Sequence, residues 1–295
     1  MSITIRTMTD DDVDVVAPVI VRAFNTVNAR YGYPSEFPEP QAAVLLSRYY
    51  LSQDPDGCLV ALRDGAVCGS IFARGRGDTV TVGPVTVDPA CQGLGVGRRM
   101  MQAVFDLYPD AASFRLVQAA FNKESYSLYS RTGYVAVEPL LRLERPPAPP
   151  PEEDDPQVRR ATADELQAVA GLDRRLMGVE RERELATIFG MGSVHVYDDG
   201  AGMQGYVATM PTPGPIFFGP AVAQSEDQLI ALLRAALRAI GSRPVTLHLP
   251  TRFAATIDEC FRLGFRLFGL ETFMVRGDWH MDNAVYLRAT FPETH

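Results

Sequence analysis

A chain of 295 residues is long enough for two domains of ordinary size, each able to bury its own core. With 46% hydrophobic and 22% charged residues it is globular rather than disordered. A formal net charge of −8 and a pI near 5.1 argue against a broad nucleic-acid footprint, and acidity gently favours cationic substrates such as amines, although its plainer use is solubility.

The opening residues Met1-Ser2-Ile3-Thr4-Ile5-Arg6 alternate like a strand and run into Asp10-Asp11-Asp12, unlike a signal peptide. No window approaches the ~18 apolar residues of a membrane span, so no membrane partner is expected. The pattern predicts a strand over 3–7, a helix capped near Thr9 or Asp10 and running to about residue 25, and a second helix over 41–52. Strands at 59–63 and 67–74 flank an Asp64-Gly65 hairpin turn. A strand over 79–87 precedes the glycine run Gly93–Gly97, which leads into a helix over 98–107. A strand (114–118), a helix (124–132) and a strand (134–143) close this half.

Residues 146–156 read PPAPPPEEDDP, with six prolines and four acids in eleven positions. Such a stretch is expected to run extended as a stiff linker between domains 1–145 and 157–295. The second half repeats the first in order: a strand at 158–161, a helix from Asp164, strands at 194–197 and 205–210 around Asp199-Gly200, and a strand at 215–223. A helix (227–240), a strand (245–249), a helix (254–263) and a strand (265–275) follow. Three local matches support duplication. Gly83-Pro84-Val85-Thr86-Val87 lines up with Gly219-Pro220-Ala221-Val222-Ala223, Arg131-Thr132-Gly133-Tyr134 with Arg262-Leu263-Gly264-Phe265, and Asp64-Gly65 with Asp199-Gly200. Cys58, Cys68, Cys91 and Cys260 are scattered, with no CxxC, which fits a reducing cytoplasm. All four histidines lie past the midpoint, which excludes a histidine-based metal site in the first half, and no metal is expected.

The stretch Val85-Thr86-Val87-Asp88-Pro89-Ala90-Cys91-Gln92-Gly93-Leu94-Gly95-Val96-Gly97-Arg98 ends a β-branched strand, passes a glycine loop and opens an amphipathic helix. Helix N-termini present unpaired N–H groups and partial positive charge, and glycines let that backbone approach an anion. The device suits a pyrophosphate. Its spacing is GxGxG rather than the GxGxxG of dinucleotide folds, and Arg98-Arg99 follow where a P-loop has GK and then Ser or Thr.

Gln92, Gly95 and Gly97 after Val87-Asp88-Pro89 resemble the Gln-x-x-Gly-x-Gly pyrophosphate loop of the GNAT superfamily of N-acyltransferases. Asn122, followed by Leu128-Tyr129 and Gly133-Tyr134, is similar to a second motif of that family. The resemblance implies an α/β (α+β) architecture of two tandem GNAT-like domains, each a mixed, mostly antiparallel central sheet flanked by helices. It implies acetyl-CoA as cosubstrate and a primary amine, on a small molecule or a protein, as acceptor. Main-chain N–H groups of Gly93, Leu94, Gly95, Val96, Gly97 and Arg98, beside Gln92, would bind the pyrophosphate. Main-chain groups of Val85 and Val87 would pair with the pantetheine arm. Asn122 would bond the pantetheine region, or cap its own helix, and Tyr129 would protonate the departing thiolate.

The general base is open, because Thr79-Val80-Thr81-Val82-Gly83 carries no carboxylate where family members often place a Glu. Tyr31, Tyr33, Glu36 and Phe37 lie in the loop where substrate-binding segments fall in this family. Their aromatics and acid suit an ammonium or staple the loop to the core. In the second half the glycine loop is replaced by Ala223-Gln224-Ser225-Glu226-Asp227-Gln228, and Tyr129 by Cys260. Two carboxylates stand where a pyrophosphate would sit. That half is read as a degenerate copy, roofing the substrate cleft or supplying a homodimer surface, with Trp279, His280 and Tyr286 in its tail. The alternative to an enzyme is an acyl-CoA-binding regulatory protein without turnover.

Overall fold

Asp64, at φ 49°, and Gly65, at φ 87°, make the tight left-handed turn that folds the first hairpin back on itself. In the computed structural model, which describes residues 2–212, 214–279 and 284–288, this hairpin joins β2 (Cys58–Arg63) to β3 (Ala66–Arg76). Strand β1 (Ile3–Thr7) runs antiparallel on the other edge of β2, with Ile3 opposite Arg63. Thr9 and Asp12 form a capping box, and Asp12 also takes both ends of the Arg6 guanidinium at 2.7 Å. That anchored turn starts helix α1 (Val13–Arg30); Pro40 at the first position starts α2 (Pro40–Gln53). Strand β4 (Thr79–Val87), helix α3 (Val96–Leu107), strand β5 (Ser113–Ala119) and helix α4 (Lys123–Arg131) follow.

The order β1-β2-β3-β4-β5 is antiparallel except for the parallel pair β4–β5. Two-residue alternation splits the core between the sheet's faces. Ile71, Ala73, Val80, Val82, Phe114 and Leu116 pack with Val96, Met100, Met101 and Val104 of α3. Val60 and Phe72 pack on the other face with Val13, Val16 and Ile20 of α1 and Tyr50 of α2.

The second half contributes β6 (Val135–Arg145), β7 (Val158–Arg160), α5 (Leu166–Met177), α6 (Glu182–Met191), β8 (Ser193–Asp198), β9 (Met203–Met210) and β10 (Ile216–Ala223). Helix α7 (Glu226–Ile240), strand β11 (Val245–Pro250), helix α8 (Ala254–Arg262), strand β12 (Arg266–Gly277) and strand β13 (Val285–Leu287) complete it. Its strands run β12-β6-β11-β10-β9-β8-β7, with β13 on β10. One buried ion pair ties α5 to the start of α6: Asp173 accepts from Arg181 at 2.7 and 2.8 Å and from the Tyr206 hydroxyl at 2.8 Å.

The described residues form two compact units, one running to Val135 and including Met274–Asp278, the other covering Ala136–Phe273 and the described residues after Asp278. The first half thus gives its closing strand, β6, to the second unit, while only the end of β12, from Met274, belongs to the first. Strand β6 pairs with β11, Leu140 opposite Pro250 and Arg145 opposite Val245. The end of β12 lies beside β5, where the Asp278 N–H donates to the Ala112 carbonyl at 2.9 Å. The proline-rich stretch runs along the second unit. Arg145 donates to the Ala148 and Pro149 carbonyls, and Glu153 and Asp154 pair with Arg234 and Arg238 of α7. The boundary between compact units falls ahead of it, at Val135.

Candidate active site

Strands β4 and β5 pair only at Thr79–Ser113, Val80–Phe114 and Thr81–Arg115. Beyond Thr81, β4 bulges and continues on β3, with Val85 opposite Ile71 and Val87 opposite Gly69. The two parallel strands therefore fork, and the stretch of β4 around Val85 and Val87 is outside the β5 ladder. At the far end of that fork the Asp88 carboxylate accepts from Ala90 N at 3.0 Å and from the Arg22 guanidinium at 3.0 and 2.5 Å. Burial alone would push the Asp88 carboxyl up, but the bonds from Arg22 and Ala90 outweigh it and hold it below its ordinary range.

Gly93 and Gly95 sit at φ 77° and 79°, where side chains are strained, and Gly95 is the cap of α3. A Cβ on either would meet nothing within 4 Å, so the outer side of the loop is open. The Arg99 N–H bonds the Gly95 carbonyl at 3.1 Å, closing the first turn of α3. The amides of Val96, Gly97 and Arg98 precede that bond and are the donors a helix N-terminus leaves for a ligand. Gly97 serves packing instead. A Cβ there would lie 2.9 Å from Leu128 Cδ2, so its absence lets α3 approach α4. Leu94 is exposed, and so is Gln92, whose Nε2 donates to the Val87 carbonyl at 3.3 Å. The cradle is what an oxyanion needs: left-handed glycines, open space and unspent amides.

Asn122 caps α4, its Oδ1 accepting from Ser125 N at 3.1 Å. The Ser125 hydroxyl donates to Gln118 Oε1 at 2.8 Å. Gln118 lies on the β5 arm past the fork. It is only 6% exposed, and its Nε2 has no hydrogen-bond partner among the described residues. An unmet buried donor at that place fits an absent amide-bearing ligand. Sequence reasoning missed Gln118 and Arg22, because neither stands in a spaced motif. Tyr129 is buried between α4 and the sheet, its ring 5.9 Å from that of Tyr134. Burial, reinforced by Tyr129, raises the Tyr134 phenol well above its usual value, so it stays neutral.

The loop after α1 is tied down by two asparagines: Asn25 exchanges bonds with the Phe37 main chain at 2.9 and 3.2 Å, and Asn28 donates to the Pro34 carbonyl at 2.9 Å. Phe37 packs edge-on against Phe24. Tyr33 stacks on Phe121 at 4.2 Å, and Tyr31 lies 5.3 Å from the same ring. The Tyr31 hydroxyl donates to Glu124 at 3.2 Å, beside an Arg30–Glu124 ion pair at 3.0 Å. These contacts staple Tyr31 and Tyr33 to the start of α4, while Glu36 is exposed.

The second unit forks in the same way, with β10 and β11 paired only at Ile216–Val245, Phe217–Thr246 and Phe218–Leu247. There the fork is filled. Strand β13 runs antiparallel to β10, placing Leu287, Tyr286 and Val285 opposite Ala221, Val222 and Ala223. Glu138 holds it in place, accepting from the Tyr286 hydroxyl at 2.8 Å and from Arg288 at 3.2 Å. At the start of α7, Ser225 caps Gln228 N, and Glu226 accepts from Thr256 at 2.7 and 2.9 Å. Cys260, matching Tyr129, is a buried thiol pushed up to about 12 by burial and then by Glu259. Trp279 packs on Phe273; His280 lies outside the described residues.

Residues 22–134 match the family model described as Acetyltransferase (GNAT) family, and residues 169–286 match Acetyltransferase (GNAT) domain. The chain belongs to the GNAT family. It carries two GNAT domains in tandem, each with the mixed, mostly antiparallel sheet flanked by helices expected of that fold. An uncharacterised N-acetyltransferase of Bacillus subtilis (strain 168), YitH, is 23% identical over 240 residues, covering 79% of this chain and 80% of that one. A GCN5-related N-acetyltransferase from Sphaerobacter thermophilus superposes with a TM-score of 0.68 at 16% identity, covering 95% of this chain and 97% of the other. A tandem GNAT protein from the clavulanic acid biosynthesis pathway gives 0.64 at 15% identity, covering 95% and 100%. The GNAT assignment makes this an acyltransferase with an acyl-CoA cosubstrate and an amine acceptor. Among the described residues no cluster of His, Cys, Asp or Glu could hold a metal, and no helix is long and apolar enough to cross a membrane.

Proposed function

We propose that the first unit transfers an acetyl group from acetyl-CoA to a primary amine by direct attack. The observation that carries this reading is the fork between β4 and β5, paired at Thr79–Thr81, open at Val85–Val87 and followed beyond that open end by the glycine cradle. When bound, acetyl-CoA supplies the activated acyl group as a thioester. The amides of Gly93, Leu94, Gly95, Val96, Gly97 and Arg98 bind its pyrophosphate. Gln92 braces the cradle through the Val87 carbonyl. Main-chain groups of Val85 and Val87 hold the pantetheine arm as a strand would, one N–H polarising the carbonyl. Gln118 Nε2 and the Asn122 amide, whose oxygen is already used as a cap, donate to the arm's amides.

Tyr129 gives its proton to the departing thiolate. Tyr31, Tyr33, Glu36 and Phe37 border the acceptor side. The second unit takes no CoA, because β13 lies along the strand segment that would hold pantetheine and Glu226 and Asp227 head the helix that would hold pyrophosphate. A thiol-release assay with acetyl-CoA and longer acyl-CoAs across a panel of amines tests the reading. Tight acetyl-CoA binding with no release on any amine would favour a regulatory acyl-CoA sensor instead.

A further inference from the structure

A pair of thiols lies beside the start of the glycine cradle. On β3 the pairing with β2 slips between Ala61–Gly69 and Leu62–Val67, which leaves Cys68 as the extra residue of a β-bulge. Strict alternation from Phe72 would turn Cys68 to the face that receives α1 and α2. The bulge turns it to the opposite face instead, into the core with Val96 and Met100 of α3. Cys91 enters the same core from the turn Pro89–Cys91. Main-chain bonds fix the two positions against each other. The Asp88 N–H donates to the Cys68 carbonyl at 2.9 Å, and the Cys91 N–H to the Asp88 carbonyl at 2.8 Å.

The side chains meet. The Cys68 thiol is hydrogen-bonded to that of Cys91, and the Arg63 guanidinium, which also has Asp64 beside it, donates to Cys91 Sγ at 3.6 Å. A sulfur accepts such a bond more strongly as a thiolate, and the thiolate is the form that attacks an oxidant. Cys91 is therefore the nucleophile of the pair. Cys68, pushed up to about 11 by burial and then by Cys91, is the thiol that answers it. The other two cysteines are placed differently. Cys58 gives its thiol to the Asp54 carbonyl at 3.3 Å on the α1 face, Cys260 is buried in the second unit, and burial pushes each up to about 12.

We propose that Cys68 and Cys91 are an oxidisable pair, that a hydroperoxide converts them to a disulfide, and that the disulfide weakens acyl-CoA binding; the last step alone rests on the cradle assigned above. The Cys91 thiolate attacks the peroxide: an S–O bond forms, the O–O bond breaks, and the departing alkoxide or hydroxide takes up a proton. The Cys68 sulfur then attacks the Cys91 sulfenic acid: an S–S bond forms, the S–O bond breaks, and hydroxide leaves with the Cys68 proton as water. The two thiols give up two electrons, and with hydrogen peroxide the products are one disulfide and two waters. Joining the sulfurs draws the turn Pro89–Cys91 towards the bulge and takes the Cys91 sulfur from Arg63. Gln92 is the next residue, so the bond from its Nε2 to the Val87 carbonyl, which braces the cradle, moves with it.

The test uses the full chain, reduced and then treated with hydrogen peroxide. Non-reducing peptide mapping should find Cys68 joined to Cys91 with loss of two hydrogens, while Cys58 and Cys260 remain open to alkylation after unfolding. Calorimetric titration should give an acetyl-CoA Kd about 10-fold or more weaker than that of the reduced protein, the scale of one lost bond to a charged group. Dithiothreitol should restore it. Cys68→Ala treated with the same peroxide should keep its reduced Kd, which separates the disulfide from methionine oxidation; Cys91→Ala serves if that variant does not fold. Thiols that both alkylate after excess peroxide, or oxidation that stops as a sulfinic acid at one cysteine, overturn the pair. A disulfide that forms and leaves the Kd within twofold overturns its hold on the cradle. A reduced protein that binds no acetyl-CoA overturns the cradle reading instead, and the peptide map still decides the pair.

Discussion

Replacing Gly95 with alanine separates a ligand-binding glycine from a packing one. Gly95 holds φ 79°, a left-handed conformation that costs an L-residue about 1–2 kcal/mol. Alanine also stiffens the unfolded chain, which offsets about half of that, so the variant should lose about 1 kcal/mol of stability and stay folded. Its Cβ meets no protein atom within 4 Å. The methyl therefore projects into the open side of the cradle, where the pyrophosphate is proposed to sit. Losing even one amide-to-phosphate bond is worth about 1.5–3 kcal/mol, a 10- to 100-fold rise in Kd. Gly97→Ala is the control. Its Cβ would lie 2.9 Å from Leu128 Cδ2, so the strain goes into the α3–α4 contact and, through α4, to Tyr129. Calorimetric titration with acetyl-CoA and urea unfolding measure the two effects apart. A folded Gly95→Ala whose Kd stays within twofold of wild type would refute the cradle as the pyrophosphate site.

Tyr129→Phe removes one proton donor and little volume. It should lower kcat about 10²–10⁴-fold with a near-normal acetyl-CoA Kd, and an unchanged kcat would reduce the residue to packing. Asp173→Asn removes the carboxylate that pairs with the buried Arg181 guanidinium, with Glu184 remaining nearby, and urea unfolding of the second unit should show a loss of about 3–5 kcal/mol. Asp12 is held well below the usual carboxylate range, chiefly by its bonds from Arg6. A depressed carboxyl stabilises the fold above its unfolded pKa and loses that contribution as pH falls towards its folded one. The gap in melting temperature between wild type and Asp12→Asn should therefore be constant near neutrality and shrink below about pH 4; a gap independent of pH contradicts the assignment.

Local chemistry was legible in the sequence and long-range pairing was not. Gly93, Gly95 and Gly97 could be read as a loop ahead of a helix because positive φ and close approach leave a glycine signature, although only the structure separates the open Gly95 from the packed Gly97. Tyr129 could be placed on α4 by helical spacing from Asn122. The transfer of β6 to the second unit could not, since its alternation fits either unit and the choice is made by partners a hundred residues or more away. Helix α6 escaped notice, as did the three-residue β13, which is too short for any period to show. Gln118 was hidden as well: it is an isolated residue in a strand, and only the contact of its carboxamide with Ser125 of α4 marks its place.

The two forks show how a duplicated cleft takes opposite fates. Both domains bulge at the same point of the matching strand, after Ile71 opposite β4 and after Phe218 on β10, and both stop pairing with the parallel neighbour after three residues. An open fork leaves main-chain donors and acceptors unmet, and buried groups of that kind cost about 1–3 kcal/mol each. The first unit can carry that cost if a cosubstrate meets those groups in use. The second has no glycines at the matching loop and opens α7 with Glu226 and Asp227, whose charge repels a pyrophosphate. Its unmet groups need a partner from the chain itself. Strand β13 supplies one, and the buried Glu138–Tyr286–Arg288 network fixes its register, with the Arg288 guanidinium 3.6 Å over the Phe273 ring. The acidic helix start and the internal strand thus belong together: a fork that repels a pyrophosphate is completed by a peptide segment of the chain itself.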